Sequence, residues 1–370
     1  MSELRTQPQR LQPPVPSLSR VLLICPRCRH VTAEGQLHQA PLYTPGGMLA
    51  TLGMDFSLEG QLCCRFQNCH ARYPVLQGIP VLFRRPEALD LELSPPFDPL
   101  SLGGAQTLAR ARLEGLLNGQ LAEGSALARL YSRLGRYALA GFSDRVQVEW
   151  LEELPALPHA VEVMGWLKEL GEAQLCEARP RLVLGAALGR EAWECSGATV
   201  LLDAHLPSLW LGKHLWERGE LVLPMNQAGR RWSWAEIRIE PPTQAQAVWI
   251  CADVQDPPFE AGAFGSVVGL NLLDSVADPM LAVGQADALT APEGMLTLTS
   301  PFAWRAALTP REKWLEPELG PDNAETVLRR WVEHELAGKR RLLAQRSFRW
   351  GLRSAPREWV YYHSEGWTWT

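Results

Sequence analysis

The chain has 370 residues, 46% of them hydrophobic and 21% charged, enough for a sizeable core and two domains, and too apolar for a disordered polypeptide. A formal net charge of -5 argues against a protein that grips nucleic acid without a partner. No stretch approaches the roughly 18 apolar residues of a membrane-spanning helix.

The first 19 residues carry four prolines and no apolar run, so they read as a disordered tail and not as a signal peptide. Residues 20–85 read as a small β module. In it the run Val21-Leu22-Leu23-Ile24 meets Cys25-x2-Cys28, and a second β-like run follows Cys63, Cys64 and Cys69. The Pro-, Asp- and Glu-rich stretch 86–104 reads as a linker. Residues 105–175 read as helical, with Leu113, Leu116, Leu117 and Leu121, then Leu127, Leu130, Leu134 and Leu139, at helix spacing.

From 176 to 370 short apolar strands alternate with helices, the strands falling at 181–185, 199–202, 247–251, 265–270 and 294–299. This pattern predicts an α/β fold with a doubly wound, mostly parallel sheet. The last 30 residues hold two more β-like runs around Ser354-Ala355-Pro356, an antiparallel pair closing the sheet edge. Gly338-Lys-Arg-Arg341 reads as a solvated helix end.

Five of the eight cysteines fall between Cys25 and Cys69, a pattern that suits a cytoplasmic metal site better than a secreted disulfide framework. Cys25-x2-Cys28 at a strand end has the knuckle spacing of a tetrahedral thiolate site. Cys64 and Cys69 complete the preferred set, with Cys63 as the substitute for Cys64 and His30 and His70 as neighbours able to replace a thiolate. Four protein ligands leave no open position, so the expected zinc is structural.

Two features read as a cofactor site. Arg181-Leu-Val-Leu-Gly185-Ala-Ala187-Leu-Gly189 is an apolar strand breaking into a turn of small residues, where the backbone can approach a nucleoside. Val200-Leu-Leu-Asp203 then places a carboxylate at the next strand end, where ribose hydroxyls are met. These two pieces alone serve a dinucleotide or S-adenosylmethionine equally.

The succession continues with Asp253, Asp256-Pro-Pro-Phe259, Gly262-Ala-Phe264, a strand into Asn271, and Pro292-Glu-Gly294. As a set it resembles class I S-adenosylmethionine-dependent methyltransferases over residues 181 to about 300. The resemblance implies that Gly185, Ala187 and Gly189 line the methionine side, Asp203 the ribose and Asp253 the adenine amino group. Ala252 and Asn271, at the ends of their strands, complete the implied cofactor set. The family's acidic residue two places before the first glycine is Val183 here, and its middle glycine is Ala187.

A narrower resemblance joins Gly185-Ala-Ala-Leu-Gly-Arg190, Asn271-Leu-Leu-Asp274 and Ser300-Pro-Phe-Ala-Trp304 to the domain that N-methylates 4-mercaptohistidine in ovothiol biosynthesis. The ending Cys69-His-Ala-Arg-Tyr73-Pro74 through Gly78-Ile79-Pro80 resembles a small zinc-ribbon family. That family activates tRNA, ribosomal RNA and release-factor methyltransferases.

In-line methyl transfer needs no obligatory base. Where one helps, Asp274, His205 and Tyr131 or Tyr137 are the candidates. Fifteen tryptophans are many, and Trp304 and Trp314 are singled out as walls of an acceptor pocket. The expected function is methylation of a small amino-acid-like or natural-product acceptor, with a protein partner a further expectation for the zinc module. The alternatives are a tRNA, rRNA or protein methyltransferase docked through that module, and a non-catalytic scaffold.

Overall fold

The computed structural model describes residues 18–31, 37–67, 69–84, 126–147, 158–195, 197–228, 231–316, 322–355 and 358–370. Of the expected tail over residues 1–19, residues 1–17 lie outside the described residues, as do the linker 86–104 and the leucine pattern at 105–125, whereas Leu18–Arg20 form a short 3-10 turn that buries Leu18.

Period-two patterning builds the centre. Along Arg181–Leu184, Gly197–Asp203 and Ala245–Ala252, alternate side chains enter two different cores. Leu182, Val200 and Ile250 join one cluster, while Val183, Leu201 and Trp249 join the other. Both faces are therefore apolar, the signature of a parallel sheet covered on each side.

The N-terminal strands are β1 (His30–Val31), β2 (Leu37–His38), β3 (Leu42–Tyr43), β4 (Gln61–Cys64), β5 (Arg72–Leu76) and β6 (Ile79–Leu82). Helix α1 (Ala126–Phe142), β7 (Val146–Gln147), α2 (His159–Glu169) and α3 (Glu172–Ala178) follow. Then come β8 (Arg181–Leu184), β9 (Gly197–Asp203), α4 (Leu206–Arg218), the hairpin β10 (Glu220–Ala228) and β11 (Arg231–Arg238), and β12 (Ala245–Ala252). The chain ends with β13 (Phe264–Leu270), α5 (Pro279–Leu289), β14 (Thr290–Ser300), α6 (Ala324–Arg330), β15 (Leu342–Ala355) and β16 (Glu358–Trp369).

The main sheet has the order β15-β16-β14-β13-β8-β9-β12-β6-β5-β4-β3. Strands β14, β13, β8, β9, β12 and β6 run parallel; β16 enters antiparallel beside β14, with β15 outside it. The expected doubly wound sheet and its closing antiparallel pair are both present. The strand order reverses between β8 and β13, the switch point at which ligands bind such sheets.

The cysteine module is continuous with this sheet. Cys251 and Ala252 of β12 pair in parallel with Val81 and Leu82 of β6, and β5, β4 and β3 extend the edge antiparallel. Behind that seam, Ile24 N–H donates to Pro258 O at 2.9 Å. Arg29, one residue past the knuckle, donates to Pro257 O and to Gln285 Oε1 (2.7 Å) and faces Asp256 at 3.9 Å.

Three local expectations change. The helical stretch is interrupted at Val146–Gln147, which pairs with Ile237 and Glu236 to make a second sheet of order β10-β11-β7. That hairpin escaped the sequence reading, although Leu221, Leu223 and Met225 alternate inward along it. The supposedly solvated Arg340 is buried. It is bound to Asp287 and donates to the carbonyls of Asp287 and Thr290, because the C-terminus of α5 needs a cation to satisfy its last carbonyls.

Because β6 and β12 share hydrogen bonds and core, the module and the main sheet should unfold together. Leu82→Ala, at a fully buried seam position, should cost about 3 kcal/mol in urea titration while leaving one transition. Two separated transitions would contradict a shared core.

Candidate functional site

The turn after β8 needs left-handed backbone at three alternate residues: Gly185 (φ 71°), Ala187 (φ 49°) and Gly189 (φ 70°). Glycine is favoured at the outer two. A β-carbon on Gly185 meets Leu272 at 2.8 Å, and one on Gly189 meets Leu201 at 2.6 Å. Ala187 tolerates the conformation because Asp203 holds it, its N–H donating to Asp203 Oδ2 at 2.8 Å.

Asp203 Oδ1 accepts His205 N–H at 2.7 Å, so one carboxylate ties the β8 turn to the start of α4. Burial raises the Asp203 carboxyl above its ordinary range, and the backbone donors oppose this. Each carboxylate oxygen has two lone pairs, so acceptor capacity remains for hydroxyl donors. At the next strand end, Asp253 Oδ1 accepts Gln255 N–H at 2.9 Å, and Gln255 Oε1 accepts Asp278 N–H at 2.8 Å.

These loops floor a cleft of about 530 Å³ at the carboxyl end of the sheet, within the range of a nucleoside-sized site. Gly185, Ala187, Gly189, Asp203, Asp253 and Asn271 all line it. Ala252 does not; its side chain is buried in the core beneath. The roof comes from Tyr137 of α1, His159 at the start of α2, and Trp350 of β15. Phe83, the residue after β6, also lines the cleft, so the cysteine module reaches the site.

Among the expected catalytic residues, only Tyr137 faces the cleft. It meets His205 edge-to-face, with ring centroids 6.4 Å apart. His205 is buried outside the lining, its Nδ1 2.7 Å from Ser208 Oγ, and burial lowers its pKa to about 4. Asp274 is also buried outside the lining and accepts Ala303 N–H at 3.2 Å, which pins the loop after β14. Tyr131 packs in the core. Trp304 and Trp314 stack on each other at 6.2 Å, with Trp314 lining a different groove beside Met280 and Trp331.

The sequence reading missed His159. Its ring stacks on Trp350 at 5.4 Å and meets Phe348 edge-on at 5.2 Å. Trp350 Nε1–H donates to Ser364 Oγ (3.0 Å), whose hydroxyl donates to Asn271 Oδ1 (2.8 Å). Thr299 donates to the same oxygen (3.3 Å), so its own oxygen accepts from His159 Nε2–H (3.0 Å). That order leaves the neutral ring with Nδ1 as a bare acceptor, and Nδ1 is buried without a partner among the described residues. The residue carries no motif; its only sequence signal is a histidine directly after a proline at a helix start.

A second constellation lies in the N-terminal module. The sulfurs of Cys25, Cys28, Cys64 and Cys69 all lie within 4.8 Å of one another, with Cys25–Cys69 at 3.8 Å and Cys28–Cys64 at 3.6 Å. Four sulfurs about 2.3 Å from a central ion sit about 3.8 Å apart, so the quartet has tetrahedral thiolate dimensions. Cys63 is turned away by strand alternation, since Leu62 and Cys64 face inward and Gln61 and Cys63 do not. Exposed His70 lies outside the quartet. Burial pushes the Cys28 thiol up and Cys64 to about 11; a bound dication is what lets such thiols ionise together. The Tyr73 hydroxyl lies 3.1 Å from Cys25 Sγ and supports it from behind.

No protein-family model matches the chain, and no curated protein does. Among solved structures it resembles a S-adenosylmethionine-dependent methyltransferase from Methanosarcina mazei, 14% identical over 51% of this chain and 90% of that one, with a TM-score of 0.35. It also resembles the magnesium protoporphyrin IX methyltransferase of Synechocystis with bound S-adenosylmethionine (10% identical, 75% and 98% covered, TM-score 0.35). A 16S ribosomal RNA adenine methyltransferase from Catenulisporales acidiphilia gives 17% identity, 55% and 90% coverage and a TM-score of 0.32. Likeness at this level carries neither an activity nor a substrate across to the chain.

Burial lowers the His159 pKa to about 3, against about 6.5 in the unfolded chain. The folded protein therefore binds fewer protons below pH 6.5, so stability is full above that pH and falls as the solution is acidified. The loss attributable to His159 should reach about 2 kcal/mol at pH 5. Comparing urea stabilities of wild type and His159→Gln at pH 7.5 and pH 5 checks this. Equal pH dependence in the two proteins would contradict it.

Proposed function

We propose that the chain is a S-adenosylmethionine-dependent methyltransferase whose cofactor lies in the cleft above β8. One observation carries this reading. The strained small-residue turn, the Asp203 carboxylate that holds it and the Asp253 carboxylate border a single cleft at the switch point of the sheet.

The residues fit the group. The left-handed Gly185–Gly189 turn, which lines the cleft, takes the methionine side; Asp203 retains acceptor capacity for the ribose hydroxyls; and Asp253 meets the adenine amino group. When bound, S-adenosylmethionine supplies an electrophilic methyl on a sulfonium. The chain's own part is to orient and to exclude water, with Tyr137, His159 and Trp350 roofing the cleft. Because burial keeps His159 neutral, its unpartnered Nδ1 is left as an acceptor for an N–H or O–H of the acceptor molecule and holds no proton at neutral pH.

The acceptor on this reading is a small amino-acid-like or natural-product molecule. The sequence resemblance to the ovothiol N-methyltransferase domain is in keeping with a roof that offers rings and one hydrogen-bond acceptor. The cysteine quartet holds a structural zinc, as the zinc-ribbon resemblance implies, with all four positions filled by protein. The module's seam with β12 and its Phe83 in the cleft favour a part built into the methyltransferase over a separate docking platform for tRNA, rRNA or a protein partner.

Titration calorimetry with S-adenosylhomocysteine tests the cofactor reading. Wild type should bind at micromolar concentration, and Asp203→Asn should weaken binding at least about tenfold. No binding by a folded, metal-loaded wild type would sink the enzyme reading and leave a non-catalytic scaffold. For the metal, emission analysis of purified protein should find about one zinc per chain in wild type and Cys63→Ser, and far less in Cys64→Ser. Loss of metal in Cys63→Ser with retention in Cys64→Ser would reverse the ligand set.

A further inference from the structure

Glu191 stands in the short helical turn that follows Gly189. It is 6% exposed, yet it belongs to the cleft wall. Its Oε2 is buried without a hydrogen-bond partner among the described residues. A buried carboxylate in that condition is costly, and structures keep one only where something compensates it.

The cations around it are committed elsewhere. Arg190 is engaged by Asp144 (2.8 and 3.1 Å) and by Glu194 (2.9 and 2.6 Å). Arg181 is held by Glu172 in a buried pair at the other end of β8. The remaining near charge, Asp203, is of like sign, and burial with that neighbour takes Glu191 up to about 7. Among the described residues Glu191 thus lacks a cation of its own, on a wall of the cleft assigned to a cofactor that carries an ammonium group.

Val183 cannot take that role. It is 1% exposed inside the apolar cluster on its face of the sheet, among Leu201 and Ala186, and it does not line the cleft. A carboxylate there would lie unpaired in the core.

We propose that Glu191 binds the α-ammonium group of the S-adenosylmethionine or S-adenosylhomocysteine amino-acid end, supplying from the turn after Gly189 the carboxylate that position 183 lacks. The proposal rests on the cofactor reading given above. It also assigns polarity along the cleft, with the amino-acid end toward Glu191 and the adenosine toward Asp203 and Asp253.

The test is a calorimetric cycle of two proteins and two ligands: wild type and Glu191→Gln, against S-adenosylhomocysteine and its analogue lacking the amino group. A charge-assisted contact should make the amino group worth about tenfold or more in wild-type affinity and less than about twofold in the variant. An equal cost for amino-group removal in both proteins would overturn the role of Glu191 while leaving the cofactor site standing. Absence of S-adenosylhomocysteine binding by wild type would instead overturn the cofactor reading and this proposal with it. Should Glu191→Gln fail to fold, Glu191→Asp provides the second variant. Its shortened carboxylate should cut the contribution of the amino group by more than half, and an unchanged contribution would contradict the assignment.

Discussion

The loop from Asp253 to Phe259 is the constraint on which the rest of the structure turns. On one side Asp253 forms part of the cleft wall. On the other, Ile24 and Arg29 donate into the carbonyls of Pro258 and Pro257, and Phe259 is buried against Phe264. The strand before this loop, β12, carries β6 along its outer edge. Through these contacts the cysteine quartet, four residues or fewer from Arg29 in Cys25 and Cys28, is fixed relative to the candidate adenine site. An ion held by these four thiolates would act on the cleft by holding one of its walls, with no chemistry of its own required.

A second carboxylate organises the opposite side. Asp203 restrains Ala187 in a left-handed conformation and caps the approach to α4 through His205 N–H. The middle position of the turn accommodates alanine because a hydrogen bond offsets the roughly 1–2 kcal/mol that this backbone costs a residue with a β-carbon. The roof is set by aromatic packing, from Tyr362 to Trp350 to His159, and by the hydroxyl chain that ends on Asn271. Asn271 therefore serves as an anchor for the roof as much as a part of the floor, its side-chain oxygen already accepting from Ser364 and Thr299.

Much of this architecture was readable from local pattern. Strands β8, β9, β12, β13 and β14 declared themselves as apolar runs between turn residues, and the loop after β8 as a turn of small residues. The cysteines were readable because ligand spacing is a short-range property, and alternation along β4 separates Cys64 from Cys63. What escaped were residues whose meaning comes from distant partners. Arg29 meets Pro257 across 228 positions, and His159 meets Thr299 across 140. Glu191 was passed over because burial, and not residue type, makes it unusual, and Arg340 looked like a surface charge until α5 ended against it. The continuation of the main sheet into the module was hidden for a similar reason: a two-residue parallel pairing between Val81–Leu82 and Cys251–Ala252 leaves no periodic trace in either segment.

The central claim is that one cleft, at the reversal of strand order, holds an adenosyl cofactor. A crystal structure of the metal-loaded chain grown with S-adenosylhomocysteine tests it most directly. The account predicts ligand density between the Gly185–Gly189 turn and the Tyr137–His159 roof, with ribose hydroxyls on Asp203 and adenine beside Asp253. Density confined to the groove beside Trp314 and Met280, or an unchanged cleft at saturating ligand, would contradict it.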